Sequence, residues 1–442
     1  MKPSLAASFL AAAALLTVGL ARTLGAQQQI SNLDRGRAES MLQTVRDDVK
    51  KHYYDPSYHG IDLDARYTEY LDRIKQAKSL DAAFTTIAAY VDLLHDSHTY
   101  FIPPSRPARF DYGFRMQMIG DQAYIVEVRP GSDAATKLHS GDQILKLGRY
   151  DVNRQDYSSL SYFIYQLAPQ GDIPLDLRDP AGKERQELVK TKFLVDKRML
   201  NLTMFNGGMD IENLILQQEA AEHLLRQRSA EQDAAMIWKM PEFDLADAEV
   251  DRAMDKARKH PALILDLRGN PGGSVATLER MVGDVMDRDV TISSRVSRKP
   301  QKPQIARTRG KDAFSGKLIV LVDSRSASAA ELFARTVQLE HRGIVVGDRT
   351  AGAVMESLFY PEQMGADVEI FYGVAITDAN LIMADGKSLE GLGVTPDITV
   401  LPTGADLAAG LDPALAKAGE LAGIKLDAVA AGKLFPFEWA PL

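Results

Sequence analysis

The chain contains no cysteine. That excludes disulfides, thiolate metal sites and a cysteine nucleophile. It also lacks an excess of positive charge: 52 Lys and Arg face 60 Asp and Glu, a net charge of −8. Nucleic acid is therefore not expected as a partner. After the first twenty or so residues no apolar run approaches the length of a membrane span, so no stable span is expected in the mature protein. What is present is ordinary for a soluble globular protein, with 45% hydrophobic and 25% charged residues. A length of 442 residues leaves room for two or three domains.

The N-terminus has the layout of an export signal. Lys2 is followed by an apolar, Ala/Leu-rich stretch from Leu5 to Leu20, then by Leu24-Gly25-Ala26 before three glutamines. The expected cleavage site follows Ala26, with Ala21 as the other possibility. Residues 1–26 are thus expected to be a signal peptide, and the mature protein periplasmic or secreted. No cysteine follows the apolar run, so a lipoprotein is excluded.

Residues 27–110 form an expected N-terminal helical region. Leu42, Val45, Val49 and Tyr53 recur at helical spacing, as do Phe84, Ile87, Val91 and Leu94. The last of these helices ends before Asp96-Ser97-His98, where side chains can project into a cleft. An imidazole beside a hydroxyl and a carboxylate suits a general base; a surface or capping histidine is the plainer use. His95 and His98 are spaced as a metal pair, but no further ligand is evident. Residues 111–192 read as a β-rich domain, with strands at Tyr124–Val128 and Gln143–Leu147. Residues 193–235 read as a helical connector, with a charged, Leu-containing pattern from Ile211 to Arg228.

An α/β core is expected over 236–402. Leu318–Val322 is a run of five apolar residues, the length of a strand buried on both faces of a parallel sheet. It leads through Asp323-Ser324-Arg325-Ser326 into a helix, so serines 324, 326 and 328 surround a strand-to-helix junction. A serine oxygen there can attack a carbonyl, while unpaired N–H groups at the helix start hold the developing oxyanion. A helix N-cap is the commoner use of serine. A second unit of the same kind runs from Leu263 through the glycine-rich turn Gly269-Asn270-Pro271-Gly272-Gly273 into a helix near Val275. Its glycines expose backbone N–H groups and allow a substrate backbone to approach. The Gly-Lys-Ser/Thr ending of a phosphate-binding loop is missing. Both turns are expected on the carboxyl edge of one mainly parallel sheet. A tail, 403–442, opens with a helical Asp412-Pro413-Ala414-Leu415 and carries no assignable chemistry.

The segment Tyr124–Gly148, YIVEVRPGSDAATKLHSGDQILKLG, resembles a PDZ domain. Such domains bind a peptide by adding it as a strand at a sheet edge. Tyr112-Gly113-Phe114-Arg115 lies where that family has its carboxylate-binding loop. Five further segments resemble the superfamily of C-terminal-processing (tail-specific) peptidases and the tricorn core protease, and occur in its order. They are DSHTYF at 96–101, DLRGNPGG at 266–273, VDSRSASAAELFA at 322–334, GIVVGDRTAG at 343–352 and LEGLGVTPD at 389–397. The resemblance implies a ClpP/crotonase-like core with a mainly parallel sheet, beside the helical region and the PDZ-like domain. It implies Ser328 as nucleophile, ahead of Ser326, and an oxyanion hole at the backbone N–H groups of Gly273 and Ala329. Ser/Lys members carry a lysine after the glycine of the Thr-x-Gly loop, where this chain has Ala353. The tricorn-type alternative uses a histidine with a preceding serine and a glutamate. This implies His98 as base, with Ser97 and Glu390 orienting it and Asp96 as the rival carboxylate. The expected function is a serine endopeptidase without metal or cofactor, acting on exported polypeptides that the PDZ-like domain could bind. The alternative is a catalytically inactive ligand- or peptide-binding protein on the same fold. Oligomeric state is not legible.

Overall fold

The computed structural model describes residues 30–106, 108–195, 227–232, 234–365 and 369–439. The expected signal peptide lies outside these residues, as does most of the helical pattern at 211–228.

The chain begins with three helices, α1 (Asn32–His52), α2 (Leu63–Lys75) and α3 (Leu80–Val91). Ser31, Asp62 and Ser79 cap them by accepting backbone N–H groups of the first turn. Leu42, Val45, Ile74 and Ile87 form a common core that also takes in Phe101 and Val374. Burying each such side chain contributes roughly 1.5–3 kcal/mol, which holds this region to the rest of the molecule. After α3 the chain makes one 3₁₀ turn, passes through the left-handed His95 and enters β1 (Tyr100–Ile102). Asp96, Ser97 and His98 lie on the short link between them.

A two-stranded ribbon of β2 (Ala108–Asp111) with β9 (Lys192–Val195) brackets an antiparallel sheet. That sheet comprises β3 (Phe114–Ile119), β4 (Gln122–Val128), β5 (Gln143–Leu147), β6 (Tyr150–Asp151), β7 (Asp172–Arg178) and β8 (Glu184–Lys190). With α4 (Tyr157–Tyr162) it encloses its own core of Met116, Ile125, Leu147, Leu160 and Leu175. The described ends of the expected helical connector are strands instead: β9, and β10 (Arg228–Gln232), which pairs antiparallel with β11 (Ala235–Lys239). Their backbone groups are satisfied by neighbouring strands.

The α/β core then unfolds in order. It contains α5 (Asp247–Ala257), β12 (Ala262–Asp266), α6 (Val275–Val285), β13 (Val290–Val296), β14 (Gln304–Ala306), β15 (Lys317–Val322), α7 (Ala329–Leu339), β16 (Gly343–Gly347), β17 (Met355–Met364), β18 (Ile370–Met383) and β19 (Ile398–Thr399). Strands β11, β12, β15, β16 and β19 are parallel, and only the edge strand β10 runs the other way. Side chains alternate across this sheet. Leu263, Leu265, Leu318 and Val320 pack with α6 and α7 on one face. Ile264, Ile319, Leu321 and Val346 pack on the other face against α9 (Pro413–Ala422), which follows the short α8 (Gly404–Ala408) and precedes α10 (Ala428–Leu434). The segment after 403 therefore closes one side of the core rather than trailing from it.

A second sheet is antiparallel throughout, ordered β1-β18-β13-β14 with β17 also on β18. It was not legible in the sequence because β17 alternates irregularly between buried and exposed. The register Phe101↔Val374 fastens the His98 link to the core. Thr99 Oγ1 reinforces this by accepting from Thr377 N at 3.0 Å, and the Thr99 and Thr377 hydroxyls lie 3.0 Å apart.

Candidate active site

The junction between β15 and α7 has three serines with three different fates. Ser326 is fully buried, donates to Leu267 O at 2.8 Å and accepts from Asp323 N at 3.0 Å. Ser324 donates to Met118 O at 2.5 Å. Ser328 occupies the N-cap position, yet its hydroxyl makes no capping bond. Among the described residues that hydroxyl has no hydrogen-bond partner. Its backbone sits at φ 53°, ψ −118°, outside the regions comfortable for a residue with a Cβ. A conformation of this kind costs on the order of 1–3 kcal/mol and needs the surroundings to impose it.

Those surroundings are identifiable. Ser328 N–H donates to Ala353 O at 2.8 Å and to Glu331 Oε2 at 3.1 Å. The Glu331 carboxylate, one turn into α7 and fully buried, also accepts from Ala353 N at 2.9 Å, Gly352 N at 2.8 Å and Thr350 Oγ1 at 2.5 Å. Burial pushes its carboxyl up to about 7, against these hydrogen bonds, which favour the ionised form. Glu331 thus staples the 350–353 loop to the serine turn. The glycine turn is tied in from the other side. Asn270 O accepts from Ala327 N at 2.9 Å, and Asn270 Oδ1 accepts from Gly272 N at 2.8 Å.

Gly272 has φ +104°, and a Cβ there would stand 2.6 Å from Ser328 Cβ and 3.0 Å from Ala329 N. The two turns touch, and glycine is what lets them. Neither the N–H of Gly273 nor that of Ala329 has a hydrogen-bond partner among the described residues. Both lie on the turns that meet at Ser328. Gly272→Ala is expected to cost about 2–4 kcal/mol from the positive φ and the contact. It should also suppress labelling of Ser328 by a fluorophosphonate; unchanged labelling would mean that the close approach does not shape the site.

On the opposite wall, the link after α3 forms a hydrogen-bonded chain with the loop after β18. Glu390 Oε1 accepts from Ser97 N at 2.7 Å, and Glu390 Oε2 accepts from Ser97 Oγ at 2.9 Å. Ser97 Oγ lies 2.8 Å from His98 Nδ1. Because the Ser97 proton is directed at the carboxylate, its oxygen accepts from Nδ1–H, and Nε2 carries the lone pair. Glu390 Oε2 also accepts from Val354 N at 2.7 Å. The loop at 353–354 therefore contacts Ser328 through Ala353 O and Glu390 through Val354 N, and joins the two walls. No hydrogen bond links Ser328 Oγ to His98 among the described residues.

Asp96 plays a different part. Its carboxylate accepts from the backbone N–H of His98 at 3.0 Å and of Thr99 at 2.7 Å, and from the hydroxyls of Thr99 and Thr377. It holds the link in shape rather than the imidazole ring. Burial lowers the His98 imidazole below its usual range, with the Asp96 charge opposing. Burial raises the Glu390 carboxyl, opposed by the bonds from Val354 and Ser97.

Sequence reasoning passed over two groups here. Glu331 was legible only as a helix-favouring residue, although a glutamate three positions after a serine is the capping-box spacing. Asp266 and Arg268 lead from β12 into the glycine turn. Arg268 holds Asp266 at 2.8 Å and reaches Asp412, just before α9, at 2.8 Å. Burial alone would raise the Asp266 carboxyl, but the Arg268 and Lys239 charges hold it well below the usual range.

These features define a ClpP/crotonase-like α/β fold, with a serine on a constrained strand-to-helix turn beside a glycine turn, and a PDZ-like sheet attached. Residues 235–400 match the model of peptidase family S41, and residues 37–88 match the tricorn protease C1 domain. Over these stretches the chain is similar to peptidase family S41 and to the tricorn protease. It is 26% identical over 312 residues to the tail-specific protease of Haemophilus influenzae, covering 66% of this chain and 41% of that protein. It is 27% identical over 346 residues to the chloroplastic carboxyl-terminal-processing peptidase 1 of Arabidopsis thaliana, covering 74% of this chain and 64% of that one. The chain thus spans less than two thirds of the length of these relatives. Among solved structures, mature CPAF superposes with a TM-score of 0.62 at 15% identity, over 85% of this chain and 95% of its own. The photosystem II D1 C-terminal processing protease superposes with a TM-score of 0.51 at 16% identity, over 92% of this chain and 100% of its own. Among the described residues no helix is long and apolar enough to cross a membrane.

Proposed function

We propose that the protein is a serine endopeptidase that hydrolyses peptide bonds in exported polypeptides. The observation that carries this reading is the chain of hydrogen bonds from Glu390 through Ser97 to His98 Nδ1, which leaves Nε2 as the basic nitrogen. In this reading Ser328 Oγ attacks the scissile carbonyl. His98 Nε2 takes the serine proton and returns it to the leaving amine. Glu390, through Ser97, holds the ring and stabilises the imidazolium formed. The N–H groups of Gly273 and Ala329 receive the oxyanion as it develops. Ala353, at the position of the Ser/Lys lysine, offers no amine, so the proton falls to His98. An extended substrate bound by the PDZ-like sheet, and export directed by residues 1–26, complete the proposal.

The test is labelling with a fluorophosphonate probe, with His98→Ala as the control. No labelling of the folded wild type would sink the peptidase reading in favour of a binding protein on the same fold. The pH profile supplies an independent check. Catalysis needs neutral His98, whose imidazole is lowered by burial, so kcat/KM should rise with pH through an acid limb below about 6.5. A limb well above the histidine range would point to another base. Ser97 is exposed, so Ser97→Ala should leave stability within about 0.5 kcal/mol. It should nevertheless lower kcat on the order of tenfold to a hundredfold by freeing the ring. Equal kcat in the two proteins would remove Ser97 from the relay.

A further inference from the structure

The segment after α10 carries three aromatic residues in five, Phe435-Pro436-Phe437-Glu438-Trp439. Phe435 packs against the cluster that includes Ala431 of α10, and Phe437 and Trp439 continue along one wall of a cleft of about 940 Å³ whose other lining comes from the PDZ-like sheet and the α/β core. Three arginines receive it. The Arg115 guanidinium lies 4.0 Å from the Phe437 ring centroid, and that of Arg129 lies 4.4 Å from the Trp439 centroid. Arg228 Nη1 donates to Pro436 O at 2.5 Å. Phe437 and Trp439 meet edge to face with centroids 5.1 Å apart. Arg115 and Arg129 belong to β3 and to the end of β4, so the segment is gripped by the PDZ-like sheet and not merely by its own neighbours.

Gly269, Pro271, Asp323 and Arg325 also line the cleft. These four belong to the two turns that carry Gly273 and Ser328. Arg325 stands only three residues before Ser328, and its charge, after burial, is the next largest influence pulling the Arg115 guanidinium down to about 10. Arg115 and Arg325 both line the cleft, and the aromatic face of Phe437 covers the Arg115 guanidinium. A flat ring over a guanidinium is favourable and tolerant of sequence. A cleft so built takes an extended polypeptide bearing aromatic side chains.

We infer that residues 435–439 are a self-ligand of this cleft, occupying the place of an incoming substrate's aromatic residues and holding the enzyme in a restrained state until displaced. The restraint rests on the peptidase reading; the binding itself does not. Two measurements keep these apart.

The first is binding. A fluorescent amidated peptide with the sequence of residues 434–439, LFPFEW, is titrated against the wild type and against the chain ending at Leu434. The shortened protein should bind at least tenfold more tightly, because its cleft is vacated, and Arg115→Gln in the shortened protein should weaken that binding at least fivefold. The second is turnover of an unfolded protein substrate. The shortened protein and the full-length double variant Phe437→Ala/Trp439→Ala should both exceed wild type at least fivefold, and added peptide should reverse the gain. The double variant covers the case in which truncation impairs folding. Failure of the peptide to bind either shortened protein or double variant, or equal binding to the wild type, would overturn the self-ligand. Tight binding to the vacated cleft without any gain in turnover would overturn the restraint. If the wild type and all variants lack turnover while the peptide still binds only the vacated cleft, the self-ligand stands and the peptidase reading falls.

Discussion

Ser328→Ala is expected to lower kcat/KM on the order of 10⁴-fold or more, with no loss of folding. Removing the nucleophile from a unit that acts together costs nearly as much as removing the whole unit, and the residual rate comes from oxyanion donors and binding. The fold should tolerate the change because the Ser328 hydroxyl caps nothing and the strained φ is imposed on the backbone, not by Oγ. Alanine meets the same backbone constraint as serine, so thermal stability should be unchanged within error. Steady-state kinetics on an unfolded protein, fluorophosphonate labelling and a melting curve check the three parts. Labelling that survives Ser328→Ala would move the nucleophile elsewhere. Ser326 would be a poor candidate, because its hydroxyl is already engaged with Leu267 O and Asp323 N.

Glu331→Ala is expected to destabilise the protein by about 3–5 kcal/mol and to abolish most activity. Three donors lose their acceptor at once, the N–H groups of Gly352 and Ala353 and the Thr350 hydroxyl, while the Ser328 N–H keeps only Ala353 O. Buried donors left unpaired cost about 1–3 kcal/mol each, less than additively. The loop that touches both Ser328 and Glu390 would be released, so activity should fall further than stability explains. Glu331→Gln separates charge from shape. Burial raises this carboxyl to about 7 in the folded state, above its value in an unfolded chain. The folded protein therefore holds the proton more tightly. The stability Glu331 contributes in this way is fully present below about 4.5 and is lost as pH rises through about 7. Denaturant unfolding of wild type should thus lose stability between pH 5 and pH 8 relative to Glu331→Gln, by up to roughly 3 kcal/mol. Parallel pH curves for the two proteins would contradict the shifted carboxyl.

The site is unevenly legible in the sequence, for physical reasons. The strand-to-helix junctions at 263–285 and 318–339 announce themselves because an apolar run, a polar or glycine turn and a helical pattern are local signals. The core helices and strands accordingly lie where periodicity places them, to within a few residues. Choosing among the three serines was beyond local signals. Ser324, Ser326 and Ser328 share one junction, and only the packed turn shows two of them spent on carbonyl oxygens. Asp96 and Glu390 were rivals for orienting His98 for the same reason. Their separation along the chain says nothing about which carboxylate meets a side chain and which meets backbone. The antiparallel sheet of β17 and β18 went unseen because β17 is half exposed and irregular, while β18 is buried without alternation over Tyr372–Thr377. The described ends of the connector at 193–235 are strands, because they find partners in neighbouring strands, while most of its helical pattern lies outside the described residues.

By itself, then, the amino-acid order determined the absence of thiol chemistry, the buried parallel strands and the two turns. Each follows from residue type or from spacing within one element. Only the tertiary structure decided the rest. It decided that Glu390 reaches His98 through Ser97, that Glu331 fastens the serine turn to the 350–353 loop, and that the 435–439 segment lies against Arg115 and Arg129. All three join residues that long-range packing brings together, and the free energy of that packing belongs to the whole core and to no single stretch of chain.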